Sequence, residues 1–247
     1  MLNFNLNLLR MAIRRLSSQK ILVIHIAKTA GTSLRIMLEY EYGARFIYPG
    51  RYYLKDLPNG LYPTGSEMLD NYSNLPFHRV LFGHFTAAMA DLLPRPYQTA
   101  TFLREPIQRS LSMLTHFSST LNVSVSSLIE NPQFMSANIA DYQTRVLGAD
   151  RVCEPGQVEI VDEKVLNRAI SRLEALNFVG LTERFDESCE IFDQRFRTRI
   201  SRFVRRENVR RPNGNELAEH IPYIKQFLER DRILYDAAVA RFNTLSK

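Results

Sequence analysis

An α/β fold, a parallel sheet covered by helices on both faces, is predicted by three features of this sequence. Short continuous apolar runs rich in Ile and Val suit strands buried on both sides. These runs alternate with amphipathic helical patterns, the arrangement that builds a parallel sheet. The 247 residues suit one domain, 1–247, with no Gly/Ser-rich linker dividing it.

The apolar run "KILVIHIA" reads as the first strand, and from Thr32 the pattern turns helical, with Leu34, Met37 and Leu38 at helical spacing. Residues 43–76 are rich in Gly, Pro, Tyr and Asn and read as long loops, which in a compact domain tend to be functional. "RVLFGHF" (79–85) and "QTATFLREP" (98–106) are two further strands, each ending at a polar residue. "PIQRSLSMLTHF" opens a helix, with Pro106 in the first turn, where its missing N–H costs nothing.

Residues 119–149 read as helix and loop. "DEKVLNRAISRLEAL" (162–176) carries Val165, Leu166, Ala169, Ile170, Leu173 and Leu176 on one apolar stripe. "NFVGL" is another strand, and "TERFDESCEIFDQRF" a helix opened by Thr182. Beyond the break at "RRPNGN", C-terminal helices fill out 210–247.

Hydrophobic residues at 45% and charged residues at 23% are ordinary for a globular protein. The net charge of +6 and pI near 9.4 favour an anionic partner. Nucleic acid, an anionic membrane, a phosphorylated cofactor and an acidic glycan all satisfy that. Cys153 and Cys189 stand far apart, which argues against a disulfide framework or a zinc site and is compatible with a reducing compartment.

The N-terminal segment 1–19 is apolar in parts but interrupted by Asn3, Asn5, Asn7, Arg10, Arg14 and Arg15. It falls short of the ~20 apolar residues of a spanning helix, and it lacks the order of a secretory signal. An amphipathic helix packed on its own domain is expected, with a helix lying on a membrane surface as the alternative. The expected location is cytoplasmic, the alternative being peripheral contact with the inner membrane face.

The stretch "HIAKTAGTSLR" (25–35) holds the first candidate site. A strand feeding a turn and then a helix gathers backbone N–H groups and the positive helix end at one spot, which attracts anions. Gly31 is read as letting backbone approach a ligand closely. Thr29, Thr32 and Ser33 add hydroxyls, Ala30 lies within the turn, and Lys28 adds a point charge. The spacing is not that of a Walker A loop, because Lys28 precedes Gly31 instead of following a glycine. A helix simply capped by Thr or Ser is the bland alternative.

A second constellation, "TFLREPIQRSLSML", puts Arg104 at a strand end, then Arg109 and Ser112 on the following helix. Arg104 and Ser112 suit a phosphate beside the strand tip. Two strand-turn-helix anion sites in one parallel sheet predict a ligand with two anionic ends, bound at the carboxyl ends of the strands.

These stretches carry a resemblance. "IHIAKTAGTSLR" resembles the 5′-phosphosulfate loop of the carbohydrate sulfotransferases, and "FLREPIQRSLSML" resembles their 3′-phosphate motif, in the family's order and separation. "LFGHF", "YQTRVLG" and "FVGLTERFDES" are similar to segments of the bacterial and Golgi members related to heparan sulfate 2-O-sulfotransferase. The likeness touches residues from about 21 to 190, and the C-terminal third matches only loosely. The resemblance implies a P-loop NTPase-like sheet, the sulfotransferase fold. It also implies the co-substrate 3′-phosphoadenosine 5′-phosphosulfate, no metal, and a hydroxyl acceptor on a glycan or glycoconjugate.

By that resemblance, Lys28, Thr29, Ala30, Gly31, Thr32 and Ser33 wrap the 5′-phosphosulfate, while Arg104 and Ser112 hold the 3′-phosphate. Lys28 stabilises the departing oxygen, because sulfuryl transfer, like phosphoryl transfer, gathers negative charge there. His84, at the end of "RVLFGHF" beside Gly83, is the candidate general base, and an ordinary histidine pKa of about 6.5 suits that work. Another branch of the family uses a glutamate on the helix after the loop. Glu39 is the nearest here but lies too far along to match well. His25 is read as a structural or loop-orienting residue.

"RFRTRISRFVRRENVRR" holds eight arginines between Arg195 and Arg211. Phe192, Phe196, Ile200 and Phe203 recur at helical spacing, predicting one helix with an apolar face and basic remainder. A solvated face and a docking surface for an acidic glycan or the nucleotide's phosphate are the two readings. Arg210 and Arg211 resemble, loosely, the late basic loop that closes over the nucleotide in sulfotransferases. Two rivals remain: a P-loop kinase using Mg-ATP, and a non-enzymatic protein binding anions or nucleic acid. On the sulfotransferase reading no nucleic-acid partner is expected.

Overall fold

The computed structural model describes residues 20–50, 65–70, 77–93, 97–153, 155–157, 161–203 and 217–245. Its strands are β1 (Lys20–Ile24), β2 (Ile47–Tyr48), β3 (Val80–Gly83), β4 (Tyr97–Leu103) and β5 (Phe178–Leu181). They form one sheet in the order β2-β3-β1-β4-β5, and every pairing is parallel. Flanking helices are α1 (Gly31–Tyr42), α2 (Gly65–Asp70), α3 (Met89–Leu92), α4 (Pro106–Leu121), α5 (Val125–Ile129) and α6 (Pro132–Asn138). After these come α7 (Tyr142–Gly148), α8 (Glu163–Ala175), α9 (Phe185–Phe196), α10 (Ile221–Lys225) and α11 (Glu229–Leu245).

β1 lies at the centre because its side chains tolerate burial on both faces: Ile21, Leu22, Val23 and Ile24 are all buried. Burying each such side chain contributes roughly 1.5–3 kcal/mol. The register sets Ile24 opposite Gly83 on one side and Thr101 on the other, so β3, β1 and β4 end close together. From β1 the chain goes to the β2–β3 side and later to β4 on the opposite flank. The connections therefore part at the C-terminal end of β1, where open α/β sheets form a ligand crevice. A second apolar cluster joins Leu111 and Leu114 of α4 to Leu128, Ile224 and Leu228.

The loop expected over 43–76 contains more structure than its composition announces. A 3₁₀ turn (Ala44–Phe46), β2 and α2 all lie within it. β2 spans only two residues, too few to show periodicity, and pairing with Val80 and Leu81 makes it a strand.

The arginine-rich stretch is not one helix. α9 ends at Phe196, Arg197 takes a left-handed φ of 53°, and a separate 3₁₀ turn follows at Ile200–Phe203. The Asp193 carboxylate makes the break, accepting from Thr198 Oγ1 and from the Ile200 and Ser201 amides. Phe192, Phe196 and Ile200 are nonetheless buried, so the apolar spacing reports core, reached through a turn.

Thr182 likewise does not cap a helix. It opens a 3₁₀ turn (Thr182–Arg184), and its hydroxyl donates to the Leu103 carbonyl at 3.0 Å.

The C-terminal helix α11 is tied to α7 by two carboxylates. Asp231 accepts from the Gln143 and Thr144 amides at the start of α7, and Asp141 accepts from the Arg230 and Asp231 amides at the start of α11. Each acid thus caps the other's helix. Among the described residues no helix is long and apolar enough to cross a membrane. The segment 1–19, and with it the amphipathic-helix expectation, lies outside the described residues.

Candidate functional site at the strand tips

The end of β1 is fixed from both sides. Thr101 Oγ1 donates to the Ile24 carbonyl at 2.8 Å, and the His25 amide donates to the Gly83 carbonyl at 2.9 Å. Beyond it the backbone alternates in hand. Lys28 and Ala30 have φ of 72° and 62°, while Thr29 and Gly31 between and after them stay outside the positive region. Such alternation turns successive N–H groups toward one concavity, the nest that holds anions in phosphate loops.

The helix beside it starts without a side-chain cap. Ala30 is the N-cap of α1 and no side chain caps the helix, so neither Thr nor Ser does the capping that the bland alternative requires. The ladder of α1 begins with the Leu34 amide donating to Ala30, so the Gly31, Thr32 and Ser33 amides are not used by it.

Two details of the turn correct the sequence reading. The space left by the missing Cβ of Gly31 is taken by the protein itself: a Cβ there would lie 1.7 Å from His25 Nε2. The missing Cβ of Gly31 therefore makes room for the His25 imidazole. The Thr29 hydroxyl is buried and donates to the Ile26 carbonyl at 2.8 Å, so it shapes the loop from within. Thr32 is exposed and Ser33 buried at the start of α1.

The structure brings Arg104 to this turn. Its Nη1 donates to the Lys28 carbonyl at 3.2 Å, and its Nε lies 4.0 Å from the Glu183 carboxylate. Burial lowers the Arg104 pKa, with Glu183 and Glu105 opposing. Arg109 reinforces the loop from below: fully buried, it donates from Nε to the Ala27 carbonyl at 3.2 Å and from Nη1 to Asn138 at 2.7 Å. Its guanidinium stacks 3.9 Å from the Tyr142 ring, and burial lowers its pKa to about 10.

The second turn differs from expectation in one respect. The N-terminus of α4 is occupied by Glu105, whose carboxylate accepts from the Ile107 and Gln108 amides. Glu105 thus takes up that helix end, and Arg104 supplies positive charge at the tip of β4. Ser112 is half-buried on α4, about 9 Å along the helix axis from Pro106. Arg210 and Arg211 lie outside the described residues.

His84 follows β3 and packs against His25, the rings tilted by 38° with centroids 4.2 Å apart. It donates a hydrogen bond to the His25 backbone, which leaves its other ring nitrogen as an acceptor. Its pKa is not the ordinary one: burial, joined by the Lys28 charge, lowers it to about 4 despite that hydrogen bond. His25 is held well below its usual value by burial, then by His84, Arg35 and Lys28. Both imidazoles are therefore neutral at neutral pH. Glu39 is buried and paired with Arg35 at 3.0 Å, which leaves it no part at the strand tips.

Arg109, Gln143 and the Asp141–Asp231 pair also support this site, and sequence reasoning gave them no role. Gln143 bonds both peptide groups of Arg104, at 2.8 and 3.0 Å. The one available signal was that Arg109 and Gln143 fall inside stretches that carry the resemblance. The chain matches no protein-family model and no curated protein.

Proposed function

We propose that this chain is a sulfotransferase that moves a sulfuryl group from 3′-phosphoadenosine 5′-phosphosulfate to a hydroxyl of a carbohydrate, on a P-loop-like variant of the α/β fold. The observation that carries the reading is the contact of Arg104 with the Lys28 carbonyl. It sets a nest at an uncapped helix end and a separate guanidinium within the span of one doubly anionic nucleotide. The resemblance of "IHIAKTAGTSLR" and "FLREPIQRSLSML" to the family's two nucleotide motifs supports the same assignment.

In the proposed reaction the acceptor oxygen attacks sulfur in line. The S–O bond to the donor's phosphate breaks as the new S–O bond forms, the acceptor's proton passes to His84, and adenosine 3′,5′-bisphosphate leaves. Lys28 and the 28–33 amides stabilise charge growing on the departing oxygen. A histidine with its pKa lowered to about 4 is always unprotonated at pH 7 but weakly basic. The anionic donor, bound beside it, raises that basicity, since a nearby negative charge favours imidazolium.

The test is calorimetric titration of the protein with adenosine 3′,5′-bisphosphate, followed by transfer of labelled sulfuryl group to a panel of glycans. Micromolar binding without magnesium and label in the glycan fraction are expected. Failure to bind the bisphosphate, or magnesium-dependent ATP binding in its place, overturns the reading.

A further inference from the structure

We propose that Gln143 is a positioning residue for the nucleotide's 3′-phosphate, acting through Arg104; this rests on the proposed reading of Arg104. Gln143 is fully buried at the start of α7. Its amide makes a two-point match with one residue's backbone: Nε2 donates to the Arg104 carbonyl at 2.8 Å, and Oε1 accepts from the Arg104 amide at 3.0 Å.

β4 ends at Leu103, so the Arg104 peptide groups lie just past the sheet's regular pairing. A buried peptide without a partner costs about as much as a lost hydrogen bond. Gln143 supplies that pairing from the side. Only a primary amide offers a donor and an acceptor in this arrangement; Glu and Leu of similar size do not.

Gln143 is itself held. Its backbone N–H donates to Asp231 Oδ2 at 3.2 Å, and the Thr144 amide and hydroxyl donate to Oδ1 at 2.7 and 2.8 Å. Asp231 is fully buried, and its own helix start is capped in return by Asp141. The Arg104 side chain keeps 27% exposure and, among the described residues, makes a 3.2 Å bond to Lys28 and a 4.0 Å approach to Glu183. A long side chain so lightly tethered takes its direction from its backbone, and Gln143 fixes that backbone.

A structural role would weaken all nucleotides alike; a positioning role weakens only those with a 3′-phosphate. The experiment titrates the full chain with adenosine 3′,5′-bisphosphate and with adenosine 5′-monophosphate, comparing wild type, Gln143→Leu and Gln143→Glu. The expected result is an approximately tenfold loss for the bisphosphate, with monophosphate affinity unchanged. In an Arg104→Ala background, Gln143→Leu is expected to add no further loss.

Equal loss for both nucleotides, undiminished bisphosphate affinity, or an additive loss in the Arg104→Ala background overturns the inference while leaving the nucleotide reading in place. A wild type with no preference for the bisphosphate overturns that reading, and this inference with it. Should Gln143→Leu fail to fold, Gln143→Glu carries the same expectation. It keeps an acceptor for the Arg104 amide and sets a carboxylate oxygen against the Arg104 carbonyl.

Discussion

The Arg104 guanidinium bonds the backbone carbonyl of Lys28, 76 residues earlier in the chain. The two turns meet because β1 and β4 are neighbours in register, Ile24 opposite Thr101. Lys28 thus has its peptide held by a cation while its own ammonium adds a second charge. That places positive charge around a left-handed backbone.

On the proposed function, replacing Lys28 by Ala is expected to cut sulfuryl transfer by about 10²–10³-fold, the usual effect of losing one preorganised donor to a developing anion. The melting temperature is expected to stay near that of wild type. A labelled-donor assay beside a thermal melt checks both, and a large drop in melting temperature would mean the lysine mainly serves the fold.

Adjacent residues in the turn are expected to respond oppositely. Ala30→Gly relieves a left-handed φ that costs an L residue roughly 1–2 kcal/mol, less about 0.4–1 kcal/mol for the more flexible unfolded chain. It is expected to be neutral or mildly stabilising. Gly31→Ala drives a methyl into the His25 ring and is expected to destabilise by about 1–3 kcal/mol. Urea midpoints decide, and a stable Gly31→Ala would show that the His25 ring is free to move.

His84 gives a signed pH dependence. Its folded pKa of about 4 lies below the ordinary 6.5, so between those values the unfolded chain binds the extra proton. Its contribution to stability is complete above pH 6.5 and is lost as the pH falls toward 4. Asp231, raised to about 6 by burial and by Asp141, acts in the opposite sense over an overlapping range. The clean readout is therefore the difference between wild type and His84→Gln in denaturant unfolding. That difference is expected to shift steadily toward the variant from pH 6.5 to 4, and a flat difference would show that His84 keeps an ordinary pKa.

Arg109→Met removes the donors to the Ala27 and Asn138 carbonyls while keeping a long apolar stem over Tyr142. Taking the donor from two part-buried carbonyls is expected to cost about 1–3 kcal/mol, read from chemical denaturation. Faster hydrogen exchange at the 28–33 amides is expected to accompany it. Unchanged exchange there would mean that Arg109 does not brace the loop.

How much of this site was legible in the sequence follows from the range of each signal. Strand, turn and helix around Lys28 could be read because hydrophobic runs and their breaks are local, and Pro106 announced the start of α4. The same local logic failed at two-residue β2, and at Arg197, where an apolar spacing of helical period ran through a turn that Asp193 closes.

The sequence by itself determined the alternation of buried strands and amphipathic helices, and so a parallel sheet with polar turns at its strand ends. Only the tertiary structure decided which turns meet, that Gly31 makes room for His25, and that Lys28 and Ala30 carry the left-handed φ. It also decided that Glu105 closes one helix end and that Gln143 grips Arg104. One physical reason is distance along the chain. Arg104 meets Lys28 and Gln143 across 76 and 39 positions, contacts that strand order and packing select and no periodicity records. The Gly31–His25 fit and the Glu105 cap are local, but they depend on backbone directions that no residue pattern spells out.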